Sequence, residues 1–160
     1  MSTSQNKALV RRYYEEMWNR WDFALADELI AEGITFRGSL GVSVSGREGF
    51  KEYMRGVRRA FPDFHNHVED LIAEDDRVVA RLTYTGTHRG ELFGIGPTGR
   101  RISYAGVAIF RIVEANTTRL KRFLVDGSTG KRMRVALAAK RRWEELDAQL
   151  PTYKDLAKTE

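Results

Sequence analysis

Two side chains of this 160-residue chain, His88 and Asp126, have the type and setting to move protons. His88 closes an alternating apolar run, Val78, Ala80, Leu82 and Tyr84. An imidazole there polarises a carbonyl or shuttles a proton near neutral pH, unless it only ties loop backbone together. Asp126 is the single acid between Arg119 and Arg142, a stretch that holds nine Lys and Arg. A carboxylate withdrawn from water gains a pKa suited to a base. The competing readings are a salt bridge to Arg122 and a cap for a helix ahead of Thr129. Tyr14, Trp18 and Tyr84 fall on apolar faces, where phenols and indoles line a ligand site as readily as they fill a core. Arg37 follows the apolar Ile34–Phe36 and either binds an acidic substrate group or points outward.

Other patterns carry less chemistry. His65, His67 and Glu69 alternate on one strand face in a possible metal-ligand spacing, but that face reads as turned to solvent or a partner. The run Gly94-Ile-Gly-Pro-Thr-Gly spells G-x-G-x-x-G, yet it contains Pro97 and leads into a β-alternating stretch, so it is no dinucleotide fingerprint. There are no cysteines, which excludes disulfides, thiolate metal sites and a cysteine nucleophile.

The elements that must position these residues follow from periodicity. Val10, Tyr14, Met17, Trp18 and Trp21 predict a helix over about 5–21 with one buried face. Asp22 is expected to cap a second, short helix carrying Leu25, Leu29 and Ile30 and ended by Gly33. A brief strand over 34–37 follows. A third helix opens at Gly46, buries Phe50, Tyr53, Met54, Val57 and Phe61, and stops at Pro62. The period then becomes two, predicting strands over 64–73, 77–87, 101–113 and 120–125, with a tight turn at Glu74-Asp75-Asp76. Met133, Ala136, Ala139, Trp143, Leu146 and Leu150 predict a long amphipathic C-terminal helix over 129–150. Helices, a strand meander and a closing helix give an α+β class in one domain spanning 1–160, with a core over about 6–126. A hydrophobic content of 42% suits a folded core, and no apolar run reaches the roughly 20 residues of a membrane span. The first residues show no signal-peptide pattern, so a cytoplasmic protein is expected. The net charge of +5 is concentrated in the basic stretch, which reads as a solvated face rather than a nucleic-acid footprint.

The order of elements and three segments resemble the SnoaL-like polyketide cyclase family of the nuclear transport factor 2 superfamily. These are NKALVRRYYEEMWNRWD, GREGFKEYMRGVRRAFPDFHNHVEDLIAEDDRVVARLTYTGTHRG and ELFGIGPTGRRISYAGVAIFRI. The most specific stretch matches at Gly86-Thr87-His88, Gly90, Gly94 and Pro97-Thr98-Gly99, and departs at Leu92 and Gly96. The resemblance implies a cone-shaped α+β barrel in which three N-terminal helices pack in a curved antiparallel sheet around an apolar pocket, with dimerisation through the outer sheet face. It also implies an aldol ring closure without metal or cofactor, driven by an aspartate on the last strand with a histidine on the preceding one. Counting from Leu120 places the aspartate's position at Val125 and the histidine's at Ala108. The turn Glu114–Thr118 is longer than is usual in the family, and a one-residue shift would bring Asp126 into the role.

The function expected is that of a cofactor-independent enzyme acting on a hydrophobic carbonyl compound by cyclisation, isomerisation or related acid/base chemistry. Asp126 abstracts the proton and His88 stabilises the enolate. Tyr14, Trp18, Arg37, Leu82, Tyr84, Tyr104, Ala108 and Val125 line the pocket. Two alternatives stand beside it: a non-catalytic small-molecule binder, favoured by Val125 and Ala108, and an epoxide hydrolase using Asp126 with Arg81 or Arg37. No metal, nucleic acid or membrane is expected as a partner, and a homodimer is.

Overall fold

The computed structural model describes residues 2–38, 42–115 and 117–125, with side chains through Val113. The C-terminal helix expected over 129–150, Asp126 and the side chain of Val125 lie outside the described residues.

The first helix, α1 (Thr3–Arg12), begins two residues earlier than its apolar spacing suggests because Ser2 and Gln5 form a reciprocal capping box. The Ser2 hydroxyl accepts from the Gln5 amide at 3.2 Å, and the Gln5 side chain accepts from the Ser2 amide at 2.8 Å. The coil then widens into a π-helical stretch over Tyr13–Trp18 whose buried side chains are Tyr13, Tyr14, Met17 and Trp18. It ends there, short of Trp21, which adopts a left-handed conformation with φ 56°.

Asp22 accepts from the amides of Ala24 and Leu25 and so leads the chain into the next helix, but it is not the cap residue expected, because the helix starts later and its cap position is Ala24. Helix α2 (Leu25–Leu29) is shorter than predicted. Ile30 does not belong to it, and Gly33 does not end it. Both lie in strand β1 (Ile30–Arg37), because Ile30 and residues 35–37 pair with the last strand, and pairing outweighs local helical spacing. A short strand β2 (Ser43–Ser45), absent from the periodicity, pairs antiparallel to β1. Helix α3 (Arg47–Ala60) buries Phe50, Met54, Val57 and Ala60 at three- and four-residue spacing.

Strands β3 (His65–Glu74), β4 (Arg77–Thr87), β5 (Arg101–Ala115) and β6 (Thr117–Val125) form the meander. With the two earlier strands they make a six-stranded sheet in the order β2-β1-β6-β5-β4-β3. All neighbours are antiparallel except β1 and β6, which run parallel, a departure from the wholly antiparallel sheet expected. The parallel pair arises because the chain leaves β1 and β2, crosses α3 and runs through three strands before β6 returns beside β1.

One face of the sheet meets the helices. Val78, Ala80, Leu82 and Tyr84 of β4 and Ala108, Phe110 and Ile112 of β5 are buried, with the first helix packed over β4 and its Tyr13 and Tyr14 rings against Phe110, while α3 packs on β1 and β2. The other face leaves Ile72, Val107 and Ile109 exposed, and Ile72 and Ile109 both pair with Val79 across three strands.

Candidate functional site

The interior is built almost wholly from rings. Phe110 sits on the inner face of β5 with Tyr13 and Tyr14 edge-on to it, centroids 5.2 and 5.8 Å away. Trp18, one turn further on, contacts Phe50, Tyr53 and Phe64. Phe64 stacks on Tyr84 at 6.0 Å, and Tyr84 leans on Tyr104 at 4.9 Å. Tyr84 pairs with Tyr104 on β5, and its ring extends over the diagonal neighbour Gly106, which pairs with Leu82. A Cβ on Gly106 would come within 2.7 Å of the Tyr84 ring, so a larger residue there displaces the tyrosine.

Among the described residues the buried Tyr14 and Tyr84 hydroxyls lie beside each other, and the buried Trp18 Nε1 beside the Tyr13 hydroxyl, each pair short of full hydrogen-bond geometry. The two hydroxyls are close enough that each influences the other's ionisation. Burial pushes the phenols of Tyr13 and Tyr14 well above their ordinary range and raises Tyr84 as well. All three therefore stay protonated at neutral pH and serve as hydrogen-bond donors, not as bases. A buried donor left unmatched costs about 1–3 kcal/mol, and an acceptor on a ligand recovers it.

His88 is fully buried, but its environment differs. The Thr98 amide donates to its Nδ1 at 3.3 Å, and the Thr98 hydroxyl lies 3.0 Å from the same atom. An amide can only donate, so Nδ1 accepts and the ring proton is assigned to Nε2, which is buried without a partner among the described residues. Burial lowers the His88 pKa, with the Gly90 backbone and Glu91 opposing it. The ring packs against Phe61 at 5.3 Å. The backbone is pinned too: the His88 amide donates to the Arg100 carbonyl, and the Arg89 and Gly90 amides donate to the Ala60 carbonyl at the end of α3. A Cβ on Gly90 would collide with the Arg59 carbonyl oxygen. The Arg89 and Gly90 amides thus fasten this loop to α3, while His88 ties its two arms together.

The sequence-predicted residues separate accordingly. Tyr14, Trp18, Leu82, Tyr84 and Ala108 are buried on the inner side, and Tyr104 is half-buried beside Tyr84. Arg37 is not with them. β1 alternates Ile34 and Phe36 inward with Thr35 and Arg37 exposed, so the arginine lies on the outer side of its strand. Arg81 is exposed for the same reason, and neither arginine supplies the inward cation that the epoxide hydrolase alternative requires. His65, His67 and Glu69 are exposed. Ala108 and Val125 are direct partners across β5 and β6, so the positions to which the resemblance assigns histidine and aspartate lie side by side. Sequence reading passed over Tyr13, although its i, i+4 spacing from Leu9 and to Met17 marks the same buried face. It also passed over Thr98, whose contact with His88 spans a loop and leaves no periodic signal.

The sequence profile of the SnoaL-like polyketide cyclases matches residues 8–124. The chain belongs to this family. Solved structures agree with the assignment. AclR from Streptomyces galilaeus, described as a candidate hydroxylase, is 31% identical, with 84% of this chain and 98% of AclR covered at a TM-score of 0.67. IdmH from Streptomyces antibioticus, a candidate polyketide cyclase, is 25% identical, covering 82% of this chain and 99% of its own at 0.64. A SnoaL-like protein from Jannaschia sp. CCS1 shares the fold at a TM-score of 0.69 with 22% identity, over 84% of this chain and 92% of its own. No curated protein sequence matches the chain. The α+β cone of these SnoaL-like proteins is the fold seen here.

Proposed function

We propose that this SnoaL-like protein binds a hydrophobic carbonyl compound against the buried ring cluster and carries out acid/base chemistry on it, as in an aldol ring closure or isomerisation. The observation that carries the reading is a set of buried polar tips, Tyr14 Oη, Tyr84 Oη and Trp18 Nε1, that fall short of full hydrogen-bond geometry among the described residues within one apolar interior. Carbonyl oxygens are acceptors and match them. As a proton leaves the carbon beside a carbonyl, negative charge grows on that oxygen, and donors already aimed from a dry site stabilise it. Tyr14 and Tyr84 suit this role better than His88, whose ring is committed to Thr98 and the loop. Asp126 is the proposed base, and Leu82, Tyr104 and Ala108 are proposed as lining.

A second reading, a binder without catalysis, is favoured by one observation: Ala108 faces Val125 where the family places its acid/base pair. Turnover assays on aromatic polyketone methyl esters, with binding followed by tryptophan fluorescence, separate the two. For an enzyme, Asp126→Asn lowers turnover about a hundredfold or more while quenching persists. Tyr84→Phe weakens binding about tenfold and leaves the fold at least as stable, because it deletes an unmatched buried hydroxyl. Quenching without turnover supports the binder. Absence of quenching by any such compound sinks both.

The outer sheet face is proposed as a homodimer interface, carrying Arg81, Thr83 and Val107 and centred on the apolar row of Ile72, Val79 and Ile109. Light scattering should then give twice the 18.3 kDa chain mass.

A further inference from the structure

Beyond the interior, a groove of about 450 Å³ runs between the first helix and the sheet edge formed by β3. It is lined by Arg11, Glu15, Asn19 and Arg20 on one side and His65, Asn66, His67 and Val68 on the other. Its volume lies in the range of small-molecule sites.

We infer that this groove binds a small organic anion, a carboxylate or phosphate monoester, at a site separate from the ring cluster. The floor is prearranged. The Asn19 carboxamide pairs with the edge of β3 as a strand would: its oxygen accepts from the Asn66 amide at 2.9 Å, and its nitrogen donates to the Asn66 carbonyl at 3.0 Å. The Asn66 side chain, itself 4% exposed, donates to the same Asn19 oxygen at 2.9 Å. Each carboxamide nitrogen keeps a second N–H beyond these bonds.

The walls are rich in donors. Arg20 is exposed and makes no ion pair among the described residues, and its planar fork suits a carboxylate or phosphate. His65 adds an exposed imidazole. The groove's one carboxylate, Glu15, is already held by Arg11 at 3.0 Å. His67 has its Nε2 3.8 Å from Glu69, outside the lining. Covering the β3 edge accounts for Asn19 and Asn66 but gives Arg20 and His65 nothing to do. A metal bound by His65 and His67 is disfavoured, since two arginines repel a cation and no third histidine or acid completes a set among the described residues.

The test is a titration of the whole chain with phenyl phosphate, benzoate and, as a neutral control, phenol, followed by amide NMR. Both anions should shift Asn19, Arg20 and residues 65–68, with phenol silent there. Arg20→Ala should weaken them about fivefold or more, while Arg77→Ala, remote from the groove, changes nothing. The relative affinity of the two anions identifies the preferred headgroup. Equal binding of phenol, shifts confined to the ring cluster, or full affinity in Arg20→Ala would overturn the assignment. None of these outcomes depends on catalysis.

Discussion

Tyr84 and His88 stand four residues apart at one end of β4, and each buries a polar atom that falls short of full hydrogen-bond geometry among the described residues. They are held in different ways. Tyr84 is fixed by rings on both sides, Phe64 and Tyr104, and its hydroxyl lies beside that of Tyr14 without full hydrogen-bond geometry. His88 is fixed by hydrogen bonds to one of its nitrogens and to its backbone, so the unmatched Nε2 is a by-product of a ring already oriented by Thr98. The same symptom therefore has two meanings. In the ring cluster an unmatched donor is available to a ligand; in the loop it accompanies a structural tie. Burial alone does not distinguish them, and the partners of the neighbouring atoms do.

The sharpest way to break this contrast is to remove packing from the interior. Phe110→Ala deletes the ring against which Tyr13 and Tyr14 lean, and chemical denaturation should show a loss of about 3–5 kcal/mol. A loss below about 1 kcal/mol would mean that the cluster is not the core. The loop answers to a different perturbation. Gly90→Ala adds a single methyl where the Arg59 carbonyl already stands, and should cost about 1–3 kcal/mol as the loop is pushed off α3. An unchanged melting temperature there would show that the loop is not fastened to α3.

The smallest effect concerns pH. Burial holds the folded-state pKa of His88 below its ordinary value of 6.5, so the unfolded chain binds this proton more readily. Its contribution to stability is intact above the unfolded pKa and declines as pH falls through 6.5 toward the lower folded value. His88→Gln should flatten that part of the stability-versus-pH curve. The slope surviving unchanged in the variant would assign it to another group.

The alternation of β4 makes the inward set of Val78, Ala80, Leu82 and Tyr84 legible in the sequence, because a strand's period of two leaves no choice of face once one residue is placed. The helical faces are legible for the same reason: Phe50, Met54 and Val57 of α3 are buried as their spacing predicts, while Tyr53 is half-buried and Phe61 lies just past the helix end. Periodicity misleads at Ile30, where one apolar residue fits a helix end or a strand start equally well and only pairing with β6 decides. The same period of two places Arg37 on the outer side once Ile34 and Phe36 are inward, which removes it from the acidic-group role that its apolar neighbours suggested. Periodicity does not show that Asn19 and Asn66, 47 residues apart, share hydrogen bonds.

What the chain settles locally, then, is which residues turn inward, since side-chain direction follows from the backbone period of each element. Which inward residues meet is settled by tertiary structure. Between Arg111 paired with Arg122 and Ile112 paired with Leu120, β6 carries one extra residue, Lys121, and this bulge moves the register by one. Continued without it, the hairpin would set Leu124 across from Ala108; with it, Val125 takes that place. A bulge is a local break in pairing that no hydrophobic period announces, and a one-residue slip exchanges the faces of every residue beyond it. The residue that confronts Ala108 at the inner end of the sheet is therefore fixed by the pairing of two strands, not by the sequence of either.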